Sequence, residues 1–558
     1  MVLLNEEGGN KKIDELRHEE EENLAKVLSQ KYGVEYVDLA TVSINSEALR
    51  VITQEEGRAA HAAIFDIVGK KLKVGVLAPE NEKTIALIKS LKEKNYIPTV
   101  YMISEFSLEK IWARYKDLSY SLETKGGALD ISNDEINSIL KNVKSLENIK
   151  ELISVTLNQK KSYKISRLLE IIIAGGLALN ASDVHIEPEE KFVRIRYRLD
   201  GVLTDILHFD KETFNLILSR IKLLSGMKLN LKGAQDGRFS IILENTEIEI
   251  RSSILPSAYD ESIVLRILNP QSIAVPIEEL GIHPKLLKIL EHEISKPEGM
   301  ILTTGPTGSG KTTTLYAFLK KVHTPAVKII TIENPIEYHV PGITQTQTDL
   351  KKNYTFLEGL RSALRQDPDV IMVGEIRDEE TAEIAVNAAL TGHLVFSTLH
   401  TNNAAGTFPR LIDLKVNPKV ITSAISVSMA QRLVRRLCPH CRKEVPLEGR
   451  AKKIIDEHIK AIKNRDEYID HIPEKIFEPQ GCAECNFTGY RGRIGIYEAI
   501  LRSAEIEKAV RENPSEREIW KAAEKQNVLT MKQDGIIKIL HGITSLPELE
   551  RVVDIEVE

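Results

Sequence analysis

Residues 300–318 read MILTTGPTGSGKTTTLYAF and decide the fold of the largest part of this 558-residue chain. The glycine-rich turn carries the pattern Gly305-x-x-x-x-Gly310-Lys311-Thr312. An apolar run, GMILTTG, precedes the turn, and a helix-forming run follows it. Strand, glycine loop and helix in this order predict a P-loop, in which backbone N–H groups and a helix N-terminus surround phosphate oxygens. The sequence therefore predicts an α/β domain that binds a nucleotide.

Each position of this loop has an expected role. Lys311 is expected to reach the β and γ phosphate oxygens, and the Thr312 hydroxyl to ligate Mg²⁺. The other contacts to the nucleotide are expected from the rest of the loop and the first helical turn: Gly305, Pro306, Thr307, Gly308, Ser309, Gly310 and Thr313. ATP and Mg²⁺ are therefore the expected ligands.

Two further apolar strands end in carboxylates of the kind that hydrolysis needs. The segment DVIMVGEIRD at 369–378 ends its apolar run near Glu375. The segment IITIENPIEYHV at 329–340 carries Glu333 and Glu337. Either strand can bring a carboxylate beside the phosphates, and the alternative is that these acids only cap strand ends.

Two histidines bracket one more apolar strand. His393 and His400 stand on either side of it in LTGHLVFSTLHTNNA, residues 390–404. A sensor of the γ-phosphate must sit at a strand end in a domain of this class, and both residues fit that requirement in sequence. A histidine at such a place can also be an ordinary satisfied polar group.

All four cysteines of the chain lie in two CxxC pairs, LCPHC at 437–441 and GCAEC at 481–485. A disulfide framework is typical of short secreted chains, whereas two CxxC pairs can present four thiolates to one tetrahedral zinc. The pairs lie farther apart than the roughly 15–20 residues of a compact zinc ribbon. We therefore expect a small zinc-binding unit, separate from the nucleotide-binding core, with the helical run RAKKIIDEHIKAIKN in the gap. The predicted ligands are Cys438, Cys441, Cys482 and Cys485.

The composition argues against several classes of protein. A net charge of −6 and a pI of about 6.2 lack the basic balance of a chain that wraps nucleic acid, so we expect no nucleic-acid partner. The longest apolar stretch, at 168–181, contains Glu170 and is too short to span a bilayer. The start, MVLLNEEGGNKK, has no charged region followed by an apolar core. Together with the free thiols, these features predict a cytoplasmic protein.

The order of strand-like and helix-like runs predicts an α/β multidomain protein. The expected parts are a small N-terminal α/β domain at 1–120, a linker at 121–150, a second domain at 151–272, the P-loop domain at 273–435, the zinc-binding subdomain at 436–498 and C-terminal helices at 499–558.

Together these segments resemble the ATPases of type II secretion and type IV pilus assembly. GPTGSGKTTT is similar to the Walker A motif of that family, and VIMVGEIRD to its Walker B, in which Gly-Glu is normal. ITIENPIEY is similar to its Asp box, with Asn334 in the place of the usual Asp, and TGHLVFSTLHTN to its His box. SDVHIEP, QDGR, AQRLVRRLCPHC and GYRGRIGIYE follow in the family's order. The resemblance covers residues 150–558, and the tetracysteine insertion favours the assembly and secretion branch over the retraction ATPases.

The resemblance implies a fold and a set of partners. The fold would be an N1-like domain, a PAS-like N2 domain and a RecA-like domain with a zinc-binding insertion of four cysteines and C-terminal helices. The working form would be a homohexamer at the inner face of the cytoplasmic membrane. Its partners would be an inner-membrane platform protein and, through the N-terminal domain, an assembly protein.

The resemblance also implies roles for single residues. Glu375 would act on the metal side, and Glu333 or Glu337 would position the attacking water. His393 and His400 would sense the γ-phosphate. An arginine supplied by a neighbouring copy would stabilise the leaving oxygens. The N2-like domain offers four arginines, of which Arg196 and Arg220 are favoured: Arg194, Arg196, Arg198 and Arg220.

Three other interpretations stay open from the sequence alone. One is a RecA-like motor that translocates nucleic acid, which the acidic balance disfavours. Another is a non-hydrolysing, nucleotide-gated scaffold, because Asn334 weakens any role that needs a second acid in the Asp box. The third is a zinc-ribbon protein that binds nucleic acid, which the long gap between the cysteine pairs disfavours.

Overall fold

The computed structural model describes residues 20–39, 42, 45–49, 51–115, 122–124, 128–130, 139–140, 143, 145–157, 164–243, 246–270 and 275–555. The first residues of the expected N-terminal domain and half of the expected linker lie outside these ranges. The chain divides into two compact units, residues 1–122 with 159–167, and 123–158 with 168–558. None of the helices within the described ranges combines the length and the apolar character that a bilayer span requires.

The first unit contains a three-stranded sheet with helices around it. Its strands are β1 (Ala62–Val68), β2 (Lys71–Val76) and β3 (Ile97–Met102), with β1 and β2 antiparallel and β2 and β3 parallel. Its helices are 20–32, Ser46–Leu49, Gln54–Ala59, Glu82–Glu93 and Glu105–Arg114. The described part of this unit is a mixed α/β structure.

The second unit begins with an eight-stranded sheet, called here the arginine sheet. Its strands are β4 (Leu122–Thr124), β5 (Ala128–Asp130), β6 (Asp183–Pro188), β7 (Val193–Leu199), β8 (Val202–Phe209), β9 (Gln235–Leu243), β10 (Thr246–Pro256) and β11 (Glu261–Leu268), in the order β4-β5-β9-β10-β11-β6-β7-β8. The helices before and among these strands are Leu146–Leu157, Lys164–Ala178 and Lys211–Leu224.

Side-chain alternation gives the arginine sheet one apolar and one charged face. Along β7, Val193, Ile195 and Tyr197 are fully buried, and the arginines between them point to the other face. Tyr197 donates its hydroxyl to the carbonyl of Ile172 on the helix Lys164–Ala178, at 2.6 Å. The helix therefore covers the apolar face, and the arginines lie on the uncovered side.

The P-loop sheet has seven strands. They are β12 (Gly299–Thr304), β13 (Ile329–Glu333), β14 (Thr344–Gln347), β15 (Val370–Val373), β16 (Leu394–Leu399), β17 (Ile425–Leu437) and β20 (Tyr490–Leu501), in the order β14-β13-β15-β16-β12-β17-β20. Every neighbouring pair is parallel except β17 and β20. The central strands are buried on both faces, as parallel strands covered by helices must be.

Helices cover both faces of this sheet. Those that precede β20 in the chain are Pro284–Ile294, Lys311–Val322, Phe356–Leu364, Glu379–Leu390, Thr407–Asp413, Pro418–Ala424 and Gly449–Lys460. Those that follow it are Ala504–Glu512, Glu516–Ala523, Met531–Leu540 and Leu546–Val552. Short 3-10 turns lie at Ile277–Glu279, Leu350–Lys352, Arg465–Glu467, Ala483–Cys485 and Glu524–Gln526. The chain is thus an α/β multidomain protein.

The cysteine segment is an excursion between two strands of the P-loop sheet, which corrects the expectation of a separate unit. The expected boundary at 435/436 falls inside β17, and the one at 498/499 falls inside β20. Between them, β18 (Lys443–Pro446) and β19 (Lys475–Glu478) form a small antiparallel sheet. Ile455 of this excursion belongs to the same buried cluster as Ile421 and Ile536. One core therefore extends through the P-loop sheet, the excursion and the C-terminal helices.

Candidate nucleotide site

The P-loop joins the carboxyl end of β12 to the helix Lys311–Val322. Gly305, Gly308 and Gly310 have φ angles of 144°, 79° and 90°, a region that side chains with a Cβ rarely adopt. A Cβ on Gly305 would lie 2.6 Å from the carbonyl oxygen of Gln431. The glycines thus let the loop turn its backbone N–H groups inward while it packs closely against strand β17. The predicted order of strand, loop and helix is confirmed.

Lys311 lies folded against its own loop. Its ammonium donates to the carbonyls of Gly305 at 2.7 Å and Pro306 at 3.1 Å. Burial lowers the pKa of Lys311 to about 8, although the charge of Glu375 opposes this shift. A buried ammonium that can exchange carbonyl partners for phosphate oxygens is the group that a P-loop needs.

The remaining loop residues divide by exposure. Thr312 and Thr313 are half-buried in the first helical turn, where the hydroxyl of Thr312 can reach a magnesium ion. Pro306, Thr307 and Gly308 are exposed at the tip of the loop. Ser309 is buried, and its carbonyl accepts a hydrogen bond from Gln431 at 2.7 Å.

Glu375 and His400 lie together at the carboxyl ends of β15 and β16. The carboxylate of Glu375 is 3.5 Å from Nε2 of His400 and 2.6 Å from Nε of Arg377. The side chain of Glu375 is 13 % exposed and that of His400 is 51 % exposed. Because β12, β16 and β15 are parallel neighbours, Lys311, His400 and Glu375 all follow strands at the same edge of the sheet. The structure therefore brings together one lysine, one carboxylate and one imidazole.

The structure does not bring His393 to this site. His393 precedes β16, and its carbonyl accepts from the N–H of Gly299 at the amino end of β12. Because β12 and β16 are parallel, His393 and His400 lie at opposite ends of the sheet. The length of β16 separates them by roughly 20 Å. The expectation that both histidines lie at the phosphate site is therefore wrong for His393, and the sensing role of His400 stays a prediction.

Glu333 lies in a closed network. Its carboxylate accepts from Thr331 at 2.6 Å, from Gln345 at 3.1 Å and from the hydroxyl of Tyr316. Its residue is 3 % exposed, and burial raises its pKa. With three protein donors in place, Glu333 links β13 to the P-loop helix. These hydrogen bonds occupy the carboxylate oxygens that would otherwise accept a hydrogen bond from an attacking water.

Glu337 faces the arginine sheet. Its carboxylate lies 3.3 Å from Nη1 of Arg251 on β10, and Nη2 of the same arginine donates to the carbonyl of Ile336 at 2.9 Å. Arg251, which the sequence analysis did not single out, thus holds the segment that follows β13.

A row of arginines crosses the charged face of the arginine sheet. Arg238 on β9, Arg251 on β10 and Arg266 on β11 are direct cross-strand neighbours. The row continues through Asp183 on β6 to Arg198 on β7. Like charges directly opposite one another destabilise a sheet, and here two carboxylates offset that cost: Glu249 pairs with Arg238 and Arg251, and Asp183 pairs with Arg266 and Arg198.

The arginines of this row differ in exposure. The side chains of Arg238 and Arg266 are 69 % and 58 % exposed, whereas Arg251 is more enclosed. The groove beside them is lined by residues of both domains, including Pro335 and Gln347 from the P-loop domain. Positive charge is therefore presented close to the segment that follows β13.

The two arginines favoured by the sequence lie elsewhere. Arg196 donates twice to the carboxylate of Glu187 at 2.8 Å, on β6 and β7. Arg220 lies half-buried on the helix Lys211–Leu224. The end of this helix contacts the apolar face of the sheet, where the hydroxyl of Ser225 donates to that of Ser252. The structure thus places Arg238, Arg251 and Arg266, and not Arg196 or Arg220, in the row beside the P-loop domain. The register of three strands decides this placement, and sequence alone does not give that register.

Strand β17 supplies two more residues that the sequence analysis missed. Gln431 is almost fully buried and holds the P-loop through Ser309. Arg432 donates to the carbonyl of Asn402 at 3.3 Å, and burial lowers its pKa. The motif AQRLVRR was visible in the sequence, but only the pairing of β12 with β17 shows that it borders the P-loop.

The four cysteines converge at the ends of β17 and β20. The sulfur atoms of Cys438 and Cys482 are 3.9 Å apart, and those of Cys441 and Cys485 are 3.7 Å apart. A tetrahedral ion with metal–sulfur bonds of about 2.3 Å places its sulfurs about 3.8 Å apart, so the donor set fits zinc.

Two backbone N–H groups stabilise the thiolate form of Cys485. Burial disfavours its thiolate, but the N–H groups of Cys482 and Gly489 lie 3.2 Å from its sulfur and bring its pKa down to about 7. Such backbone donors are the partners that a metal-bound thiolate needs.

Comparison with known proteins agrees with the motif order. The family model described as type II/IV secretion system protein matches residues 158–551. Type II secretion system protein E of Klebsiella pneumoniae is 42 % identical over 400 residues, which are 71 % of this chain and 78 % of that protein. The type IV pilus assembly ATPase PilB of Myxococcus xanthus is 35 % identical over 540 residues, which are 95 % of this chain and 91 % of that protein.

A solved structure shares the fold. The ATPase DotB of Yersinia pseudotuberculosis matches with a TM-score of 0.50 at 19 % identity, over 71 % of this chain and 94 % of that one. At this level of identity the likeness concerns the fold alone.

Proposed function

This chain is a member of the type II/IV secretion system protein family and an ATPase, and we propose that it is the cytoplasmic motor that powers assembly of a type IV pilus. The observation that carries the proposal is the position of Lys311, Glu375 and His400 at the same edge of the P-loop sheet, where Glu375 contacts His400. The M. xanthus pilus assembly ATPase matches the N-terminal domain as well as the P-loop domain. Type II protein secretion is the second candidate, because relatives named type II secretion system protein E reach 42 % identity.

The roles proposed for the site residues follow from their positions. Lys311 and the loop N–H groups bind the phosphates of ATP, and Thr312 holds Mg²⁺. Glu375 acts on the metal and the attacking water, and His400 responds to the γ-phosphate through Glu375. Glu337 remains the second carboxylate candidate for the water, released from Arg251 when the arginine contacts a phosphate.

The working form that we propose is a homohexamer with arginines acting across the ring. Phosphoryl transfer needs positive charge on the departing oxygens, in cis or from a neighbouring copy. The exposed guanidinium groups of Arg238 and Arg266 support this role best. The domain at 151–272 would be the PAS-like N2 domain, which moves against the P-loop domain during each cycle.

We also propose that Cys438, Cys441, Cys482 and Cys485 hold one structural zinc ion. The sulfur separations and the backbone donors to Cys485 support this assignment. The ion would fasten the ends of β17 and β20 to each other. A closed site of four cysteines has no open position for substrate, so its contribution is to stability.

The proposed partners lie at the membrane. An inner-membrane platform protein would receive the motion of the ring, and an assembly protein would contact the N-terminal domain. Nucleic acid is not expected as a partner, since the net charge of the chain is −6.

The experiment that tests this function replaces the chromosomal gene in the native host with a Lys311→Ala variant. We expect loss of surface pili while pilin subunits accumulate in the membrane, because Lys311 is the ammonium that lies inside the P-loop and reaches the phosphates. Intact pili with a loss of protein secretion would select the type II candidate. ATP hydrolysis that rises severalfold with added DNA would contradict both and favour a nucleic-acid motor.

A further inference from the structure

A buried carboxylate next to the nucleotide site has no part in the roles given above. Glu498 lies on β20, opposite Ala430 of β17, and is 5 % exposed. Its two oxygens accept from two backbone N–H groups far apart in sequence, Ala404 at 2.9 Å and Met531 at 3.0 Å. Burial raises its pKa, and the charge of nearby Arg432 acts in the opposite direction. Burying a carboxylate costs free energy unless its oxygens are hydrogen-bonded. We therefore ask what the two hydrogen bonds of Glu498 hold in place.

The first contact holds the loop that follows β16. This loop, residues 400–406, begins with His400 of the nucleotide site. Thr401 bonds to Thr304 at the end of β12, through its N–H at 2.8 Å and its hydroxyl at 2.7 Å. Ala404 is held by Glu498, so the loop is fixed both at the P-loop strand and at β20.

The second contact leads to the C-terminal helices. Met531 is the first residue of the helix Met531–Leu540, and the positive end of that helix favours a carboxylate. A parallel link runs through Glu516, which accepts from the amide of Asn403 at 2.8 Å and starts the helix Glu516–Ala523. Both carboxylates therefore connect one loop to the helices after β20.

We propose that Glu498 is a positioning residue for ATP hydrolysis, which holds the 400–406 loop in place against the P-loop and passes its displacement to the C-terminal helices. The proposal rests on the ATPase function given above. When the γ-phosphate draws His400, the pull is transmitted along the loop to Glu498, because Thr401 is tied to Thr304 and Ala404 to Glu498. Glu498 then carries that movement to the start of the helix Met531–Leu540.

The variant Glu498→Gln tests this role in the full-length chain. The amide keeps the shape but turns one acceptor into a donor that opposes an N–H group. We expect kcat to fall roughly 10- to 100-fold, with KM for ATP and the Kd of a fluorescent ATP analogue changed less than about threefold. The Glu512→Gln variant is the control, since that exposed carboxylate pairs with Lys508 on its own helix, and its kcat should stay within about threefold.

Hydrogen exchange of the helix Met531–Leu540 supplies a readout that a merely structural residue would not change. That helix starts at the second backbone N–H group that Glu498 holds. In the wild type, a non-hydrolysable ATP analogue should change the exchange rates of the amides at 531–540. Adding Glu498→Gln should abolish that change while the analogue still binds.

Several outcomes would overturn the inference. Wild-type kcat in Glu498→Gln would do so, as would an unaltered exchange response of the helix Met531–Leu540. A variant that loses ATP binding in step with a fall in Tm would show a structural role only. If Glu498→Gln does not fold, Glu498→Asp takes its place, because it keeps the charge but cannot reach both N–H groups. That variant must then show a lowered kcat with a nearly unchanged Kd for the ATP analogue. A wild-type chain that hydrolyses no ATP would instead refute the proposed function.

Discussion

The side-chain amide of Gln431 donates to the carbonyl of Ser309 at 2.7 Å, so strand β17 holds the P-loop from the side. The same strand ends at Leu437, one residue before Cys438. The nucleotide site therefore contacts the middle of β17, and the cysteine cluster begins directly after its carboxyl end. Stability of the cysteine cluster and order of the P-loop are coupled through this strand.

Removal of zinc should lower the stability of the whole P-loop domain. We expect Cys441→Ser, or treatment with a chelator, to lower the Tm by roughly 10 °C or more. The reason is that the binding free energy of a zinc ion held by four cysteines is comparable to the whole free energy of unfolding of a typical domain. The shared core predicts one cooperative transition, which calorimetry with and without zinc would measure. A separate transition for the cysteine excursion, with the ATP-stabilised transition unmoved, would contradict the coupling.

ATP affinity should fall as the pH rises above about 8. Below that pH Lys311 is charged in the free and the bound protein, so affinity should be flat. Above it the free lysine has lost its proton, because burial lowers its pKa to about 8, and phosphate binding must restore the proton. The affinity should then fall up to about tenfold per pH unit.

Calorimetry in buffers of different ionisation enthalpy measures this proton uptake directly. Lys320→Ala, at the exposed end of the same helix, is the control and should leave the uptake unchanged. Affinity that is independent of pH between 8 and 9.5 would contradict the role of Lys311.

The arginine row should matter for turnover more than the arginines on β7. Arg238→Gln and Arg266→Gln should each lower kcat by about 10-fold or more, since arginines that stabilise phosphoryl transfer are worth up to about 10³–10⁵. Arg196→Gln is the matched control, because Arg196 is likewise paired with a carboxylate, Glu187, but does not line the groove beside the P-loop domain. Steady-state phosphate release by the purified assembly checks this. A larger loss in Arg196→Gln than in the two row variants would reverse the assignment.

Local features of the site could be predicted from the sequence. The P-loop needs glycines, a lysine and a helix start within one short stretch, so its residues identify it directly. Glu375 was found because it closes a short apolar run, and strand β15 does end just before it. The helix in the cysteine gap was predicted in the same way and spans Gly449–Lys460.

Features that depend on pairing between distant strands could not be predicted. His393 and His400 look equivalent in sequence, and only the direction of β16 separates them. Arg238, Arg251 and Arg266 form a row only because three strands share one register. The cysteine segment looked independent because its residues are contiguous, yet the antiparallel pair β17 and β20 places it inside the P-loop domain.

The most direct test of the ATPase site is turnover by the Glu375→Gln variant of the full chain. The substitution keeps the size of the side chain and removes the charge that faces Lys311 and His400. We predict that the wild type hydrolyses ATP, and that Glu375→Gln binds MgATP normally but releases phosphate about 10²-fold more slowly or worse. Glu379→Gln, an exposed acid paired with Lys415, should match the wild type. Phosphate release by Glu375→Gln at the wild-type rate would contradict the account.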